Sequence, residues 1–402
     1  MSDITQLVVG TEKWLLRIPA ERHIALEGLS QTAVTASPAE LTREALEHPV
    51  GLVALRQALT PDDQVAIVLE PNLPAISEIL QEVLAYLCSA DIQPASITII
   101  TPPNSVQDWV DQLPEAFADV RTEIHDPTDA SKLAYLATTA AGRRLYLNRT
   151  LVNADLVLLL TGRRFDPVTG YAGAETAIFP AMTNEATQKS FVGQYSTEVP
   201  GAEPWPVRAE AAEIMWLLGA PFLVQIIEGF GDTVAEVVAG LPESIGSGIR
   251  SLETRWRAKI RESPDTILAT ISGDPSRISF LDLAKAAATA ARVVRKGGRI
   301  AILTRASPQL GDGAQLLRSM DSLKGARKRL ALQQPHDWLA CYLWAFATRH
   351  NSLFLASQYP DEVVEDLFAT PIRDPEEVQR LIDNGGTILI VPDAHKTMVS
   401  LE

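Results

Sequence analysis

Short apolar runs rich in β-branched residues alternate along this chain with segments of helical periodicity, and that alternation restricts the fold more than any other feature. Strands are predicted at 64–70, 96–101, 120–125, 143–148 and 154–161, with a helix over 75–87 between the first two. Strands that alternate with helices are joined by crossovers, so the pattern predicts a mostly parallel sheet with helices on its faces. The run Leu156-Val157-Leu158-Leu159-Leu160 has no polar face. It reads as a strand covered on both sides and is placed at the centre of the sheet.

The chain has 402 residues, and a single core stops growing near about 250–300 residues, so two domains are expected. Hydrophobic residues make up 46% and charged residues 21%, an average globular balance that can bury a sizeable core. A strand at 221–227, a helix at 249–260 and a strand at 266–272 lead to Gly273-Asp274-Pro275-Ser276, where the turn residues place the boundary. The expected division is an N-terminal α/β domain, 1–272, and a smaller C-terminal α/β domain, 277–402, with a cleft between them. In the second domain Phe280, Leu283, Ala287, Ala291 and Val294 recur at helical spacing, and Gly297-Gly298 stops that helix. Strands at 299–304, 353–356 and 387–391 and helices at 338–348, 362–367 and 375–382 complete it.

A formal net charge of −15 disfavours any site that works by neutralising many phosphates, so nucleic acid is not expected as a partner. The longest apolar runs, such as Leu156–Leu160, are of strand length, far short of the roughly 20 residues that cross a membrane. Met-Ser-Asp-Ile-Thr-Gln does not read as a secretory signal, and a cytoplasmic location is expected. Cys88 and Cys341 lie far apart in apolar helical patterns, the setting of small buried hydrophobes.

Several phrases, taken in order, carry a resemblance: Ala45-Leu46-Glu47-His48-Pro49-Val50-Gly51, Val65–Leu69, His125-Asp126, Leu145-Tyr146-Leu147-Asn148-Arg149 and Ala154-Asp155-Leu156-Val157, then Asp282-Leu283-Ala284-Lys285, Gly297-Gly298 and Ile390-Val391-Pro392-Asp393. Together the chain resembles the nickel-pincer lactate racemase family. The resemblance implies a two-domain α/β fold with an interdomain cleft. It also implies a nickel ion in a pincer-type nucleotide tethered to a lysine, with two histidines that shuttle the α-proton or hydride of a 2-hydroxy acid.

The family's functional positions are mostly replaced. Its D-x-T-R-P turn, whose arginine holds the cofactor phosphate, falls on Glu70-Pro71-Asn72-Leu73-Pro74, and leucine cannot pair with phosphate. Its G-T-H-R motif falls on Asn104-Ser105-Val106-Gln107, with Val106 at a catalytic histidine, and valine carries no proton. The P-H motif falls on Phe165-Asp166. The S-G-G-x-K motif falls on Ala172-Gly173-Ala174-Glu175-Thr176, and Thr176 has no amine for the tether. The nickel-ligating histidine is expected near Phe191-Val192. No nickel-pincer cofactor and no metal are therefore expected. Lys285 matches a position where the family offers a lysine to the substrate carboxylate, and is otherwise a solvated helix lysine.

Other candidates come from the residues themselves. Arg163 and Arg164 follow the end of the buried strand, at the sheet edge where doubly wound folds bind ligands. They could grip a carboxylate or phosphate, or be neutralised by Asp166 or Glu175 of the same loop. Asp166 and Glu175 could alternatively supply paired carboxylates for acid–base work or a hard-cation site, or be solvated loop acids. Gly170 and Gly173, with Pro180, shape that loop. Gly311-Asp312-Gly313 is a turn or a cleft loop, Lys324, Arg327, Lys328 and Arg329 a solvated basic face, and Trp338, Tyr342, Trp344 and Phe346 a core stripe. His48 and His125 read as hydrogen-bonded scaffold, while His336, His350 and His395 match no metal spacing. The function expected is a small-anion-binding or regulatory relative of the racemases, its ligand something like a hydroxy acid. The alternative is a hydroxy-acid racemase or epimerase with a rebuilt site.

Overall fold

The structure is a computed structural model that describes residues 2–30, 34–103, 105, 107, 109–201 and 203–402. Two six-stranded sheets dominate it. The first has the order Val234–Gly240, Phe222–Glu228, Leu156–Gly162, Val65–Leu69, Ile97–Thr101, Arg121–Ile124, parallel except for its antiparallel edge strand Val234–Gly240. Every residue of Val65–Leu69 and of Ile97–Thr101 is buried, which is why these strands carry no alternation of polar and apolar residues. Leu156–Gly162 lies between Phe222–Glu228 and Val65–Leu69, inside the sheet. Apolar clusters cover both of its faces, one around Ile79, Leu80, Val83 and Leu84 of the Ile76–Cys88 helix, the other around Leu145, Phe179, Ile214 and Met215. Each such fully buried side chain contributes about 1.5–3 kcal/mol, which fixes the strand ends where the chain turns toward the cleft.

The second sheet is wholly parallel, ordered Thr370–Ile372, Ser352–Ala356, Arg299–Leu303, Thr266–Thr270, Ile388–Val391, His23–Ile24. The Phe280–Val293 and Trp338–Thr348 helices cover one face. An antiparallel hairpin of Ser2–Val9 and Glu12–Pro19 covers the other, burying Leu7, Val9, Trp14, Leu16 and Ile18.

The division in sequence therefore differs from the expected 1–272 and 277–402. Thr266–Thr270 is a central strand of the second sheet, so the chain has crossed over before Gly273, and residues 2–24 return to the same unit. The helix expected to run to Ile260 ends at Trp256. Arg257–Ile260 becomes a strand paired with Met398–Leu401, because Ala258 and Ile260 alternate inward. Arg144–Asn148 is a strand too, but it pairs antiparallel with Leu133–Thr138 outside the main sheet.

Candidate functional site

In each sheet the strand order reverses at one point. The first sheet winds outward from Val65–Leu69 in one direction and from Leu156–Gly162 in the other; the second winds outward from Thr266–Thr270 to Thr370–Ile372, and the chain then returns to the other side of Thr266–Thr270 as Ile388–Val391. Ligands in open α/β sheets bind at the carboxyl ends of strands beside such a switch point. Here the two switch points share one cavity of about 410 Å³. Glu70 and Arg164 enter it from the first sheet, Ser272 and His395 from the second, and the Phe280–Val293 helix adds Asp282 and Lys285.

The charges of this cleft are largely matched. Arg164 pairs with Glu70 and, through Nε at 3.2 Å, with Glu228. Glu228 also meets Lys396 Nζ at 3.1 Å, and that ammonium donates to the carbonyls of Gly229 and Gly231 at 3.0 and 2.7 Å. Burial raises the Glu228 pKa, but the Lys396 and Arg164 charges outweigh it and hold the carboxyl well below the usual carboxylate range. Arg277 pairs with Asp232 and donates to the Asn72 carbonyl at 2.8 Å, linking the two units. Asp282 forms a capping box with Ser279, whose backbone N–H and hydroxyl donate to it at 2.9 and 2.6 Å. Burial raises the Asp282 pKa, and His395, Lys285 and the Ser279 bonds bring it below its ordinary value.

Lys285, half-buried in the second turn of the helix, has no hydrogen bond or ion pair among the described residues. His395 follows Asp393, a residue at φ +40° whose carboxylate accepts from Ser272 N, Ser272 Oγ and Gly231 N. That clamp sets the turn carrying His395 and Lys396 against the cleft. Burial lowers the His395 pKa, as does Lys396, while Asp282, Asp393 and Glu228 oppose them.

The two adjacent arginines part company. Arg164 lines the cleft, whereas Arg163 has no exposed side-chain surface and contacts Glu175 at 3.3 Å and Gln225 at 2.5 Å. Arg163 and Glu175 are therefore removed from the expected ligand-binding set, because their charges meet each other inside the protein. Arg208 reaches Glu175 at 2.8 Å from the other side. Asp166 does not face Arg163 or Arg164 in an ion pair; it accepts from the Val168 and Thr169 N–H groups at 2.8 and 2.9 Å and closes the turn to Gly170, at φ +77°. Gly173 sits at φ +92°, and a Cβ there would stand 2.3 Å from the Gly162 carbonyl, so its role is close backbone approach. Neither glycine lines the cleft.

The positions carried over from the motifs are occupied as follows. Leu73 is in the core, and its Cδ2 would stand 2.9 Å from a Cβ added at Gly162. Val106 lies outside the described residues. Thr176 Oγ1 accepts from Gly173 N at 2.9 Å, closing the loop on itself. Phe191 is buried edge-on against Phe179 at 5.3 Å, with the Arg143 guanidinium over its ring. His125 Nε2 lies 2.9 Å from the Thr183 carbonyl. Gly311-Asp312-Gly313 starts the Asp312–Arg318 helix, whose first N–H groups donate to Asp337, and Lys324, Arg327, Lys328 and Arg329 are exposed. Among the described residues no group of three or more His, Cys, Asp or Glu could hold a metal ion, and no helix is long and apolar enough to cross a membrane.

Sequence reasoning missed Glu70, Glu228, Asp282 and Lys396 as cleft residues, and set His395 aside. Their signal is positional: Glu70, Glu228 and His395 each stand at or just beyond the carboxyl end of a buried strand.

Residues 9–191 match the lactate racemase N-terminal domain. The chain is similar over 98% of its length to 98% of the lactate racemase of Thermoanaerobacterium thermosaccharolyticum, at 19% identity. Its fold is similar to the lactate racemase apoprotein of that organism, with a TM-score of 0.79 at 16% identity, over 99% of this chain and 100% of the other. A protein from Thermotoga maritima is also similar, with a TM-score of 0.67 at 12% identity, over 92% of this chain and 100% of that one.

Proposed function

We propose that this chain, similar along its length to a lactate racemase, is a relative of that family that binds a small carboxylic acid in the cleft between its two sheets and does so without nickel-pincer chemistry. The observation that carries this reading is the charge balance of the cleft. Arg164, Arg277 and Lys396 each make an ion pair with a carboxylate, and Lys285 alone among the described Lys and Arg side chains lining it makes none, acting on Asp282 only through its field. An unpaired ammonium beside a histidine, in a cavity of about 410 Å³, suits one carboxylate on a small molecule and offers nothing to a polyphosphate.

The loss of cofactor chemistry rests on the groups that fill the family's positions. The arginine expected to hold the phosphate is Leu73, packed into the core; the tether position is Thr176, whose hydroxyl is engaged by its own loop; the region of the nickel ligand holds Phe191 in an aromatic cluster. These residues do not fit a nickel-pincer nucleotide, since they supply neither phosphate charge, nor an amine, nor an imidazole.

Calorimetric titration with lactate and other 2-hydroxy acids, dicarboxylates and nucleotides tests the reading. Binding of the small acids that falls at least tenfold in Lys285→Ala is expected; equal affinity in the variant, or silence from every acid, overturns it. Metal analysis and intact-mass measurement are expected to show no stoichiometric nickel and no nucleotide-sized adduct. Turnover in a racemisation assay on 2-hydroxy acids would replace the binding reading with that of a rebuilt isomerase.

A further inference from the structure

The helix that carries Lys285 bears a second basic side chain on the same side. Arg292 lies seven residues on, two turns away, with Ala288 and Thr289 between them, so all four line one face. That face bounds a second cavity, of about 30 Å³, behind the cleft; Asp166, Pro167 and residues 196–198 close its far side, and Lys285 and His395 border both cavities.

Arg292 is poorly compensated there. Its Nε donates to the Thr197 carbonyl at 2.5 Å and its Nη1 to Met398 Sδ at 2.9 Å, a weak acceptor. Its Nη2 has no hydrogen bond among the described residues, and no carboxylate pairs with the guanidinium. Burial pulls its pKa down to about 10, the direction expected where no counter-charge offsets desolvation. The two acids on the cavity do not supply one. Asp166 is held by the Val168 and Thr169 N–H groups, and Glu198 is exposed to solvent. His395 adds a buried Nδ1 that also lacks a partner. Lys285 is half-buried, and its Nζ makes no hydrogen bond or ion pair among the described residues. The charged groups facing His395 are Asp282 and Lys285 from the helix, Asp393 and Lys396 from its own loop, and Glu228 from the first sheet.

Arg292 is half-buried, and a guanidinium keeps its charge at any ordinary pH, so a partly desolvated one without a carboxylate partner gains from a counter-ion that joins it. We propose that this small cavity is a binding site for a single compact anion, a halide ion or the carboxylate of a short acid, held by Arg292 with Lys285 and His395 on the side toward the cleft. The narrow space of about 30 Å³ suits a halide ion, or the two oxygens of a carboxylate whose remaining atoms lie toward the cleft, better than the four oxygens of a phosphate or sulfate. The site goes beyond the cleft reading and does not depend on it, since its principal cation does not line the cleft.

Thermal unfolding of the full chain in sodium bromide, sodium acetate and sodium sulfate, with Arg292→Met beside the parent, tests it. Bromide or acetate is expected to raise the midpoint of the parent at millimolar concentration. Sulfate is expected not to do so beyond the ionic-strength effect it has on the variant. In Arg292→Met the apparent affinity for the stabilising anion falls at least tenfold. Anomalous diffraction from bromide-containing crystals of the parent keeps the test independent of the variant's folding, with a peak beside Arg292 expected. A peak that acetate displaces identifies the carboxylate as an occupant, and one that persists identifies the inorganic ion. Equal anion responses of parent and variant with no bromide beside Arg292 would overturn the site. Bromide found only in the cleft at Lys285 would likewise overturn it, and leave the cleft reading standing.

Discussion

Arg163 and Glu175 form an ion pair with no exposed side-chain surface on either partner, 3.3 Å apart, and Arg208 meets the second carboxylate oxygen of Glu175 at 2.8 Å. Two guanidiniums thus share one buried carboxylate, with Gln225 accepting from Arg163 as well. Removing the carboxylate leaves Arg163 desolvated without a counter-charge. Glu175→Gln is expected to lower the unfolding free energy by about 3–5 kcal/mol, the usual cost of breaking a buried pair from one side. Urea denaturation measures it. Small-acid binding by the folded fraction should be unchanged, because neither residue lines the cleft.

Leu73 tests whether the family's phosphate position has become core. It is 1% exposed and packs in the cluster with Leu69, Ile79 and Leu160. Leu73→Ala is expected to cost about 2–5 kcal/mol, as truncations of buried leucines do. A loss under about 1 kcal/mol in equilibrium unfolding would show that the side chain is not packed, and would reopen the position to a ligand.

Glu228 gives the cleft a pH signature. Its folded-state pKa is depressed, so the stabilisation it contributes is present above its unfolded pKa of about 4.3 and is lost as pH falls through the folded value. Unfolding free energies measured from neutral pH down to about pH 3 should fall less steeply in Glu228→Gln than in the parent. The variant should also be the less stable at pH 7, where Lys396 and Arg164 lose their shared partner. Parallel pH profiles would show that the carboxylate titrates normally.

What the sequence revealed follows from which forces are local. The five apolar residues at 156–160 announce a buried strand, because burial on both faces leaves its mark on every position. Arg257–Ile260 continues a helical pattern in the sequence, since its pairing partner Met398–Leu401 lies some 140 residues away and no local pattern reveals it. Arg163 and Arg164 looked like one cationic pair, yet consecutive residues of an extended chain point to opposite sides, so one enters the core and the other the cleft. The cleft itself is an encounter between the ends of remote strands. Glu70, Glu228 and His395 come together only once both sheets are wound, and spacing along the chain carries no trace of it. The matched charges were legible as residue types, but not their partners: Asp166 went to backbone N–H groups and Glu70 took the arginine assigned to it.

Arg164 distinguishes direct from indirect charge effects at the cleft. Its guanidinium is committed to Glu70 and Glu228, so it offers an incoming carboxylate less than its position suggests. Arg164→Ala would leave Glu70 without its basic partner, and the added negative field should weaken small-acid binding without removing a contact. Screening acts over about 8 Å at physiological salt, so that loss should shrink as ionic strength rises. Lys285→Ala removes the contact itself, and its deficit should persist in high salt. Titrations of both variants at low and high sodium chloride would distinguish the two, with the anion of the salt exchanged for gluconate in a parallel series to exclude competition by chloride. If Arg164→Ala lost affinity as completely as Lys285→Ala at every ionic strength, Arg164 would be a direct ligand of the acid, and its pairing with Glu70 would have to open on binding.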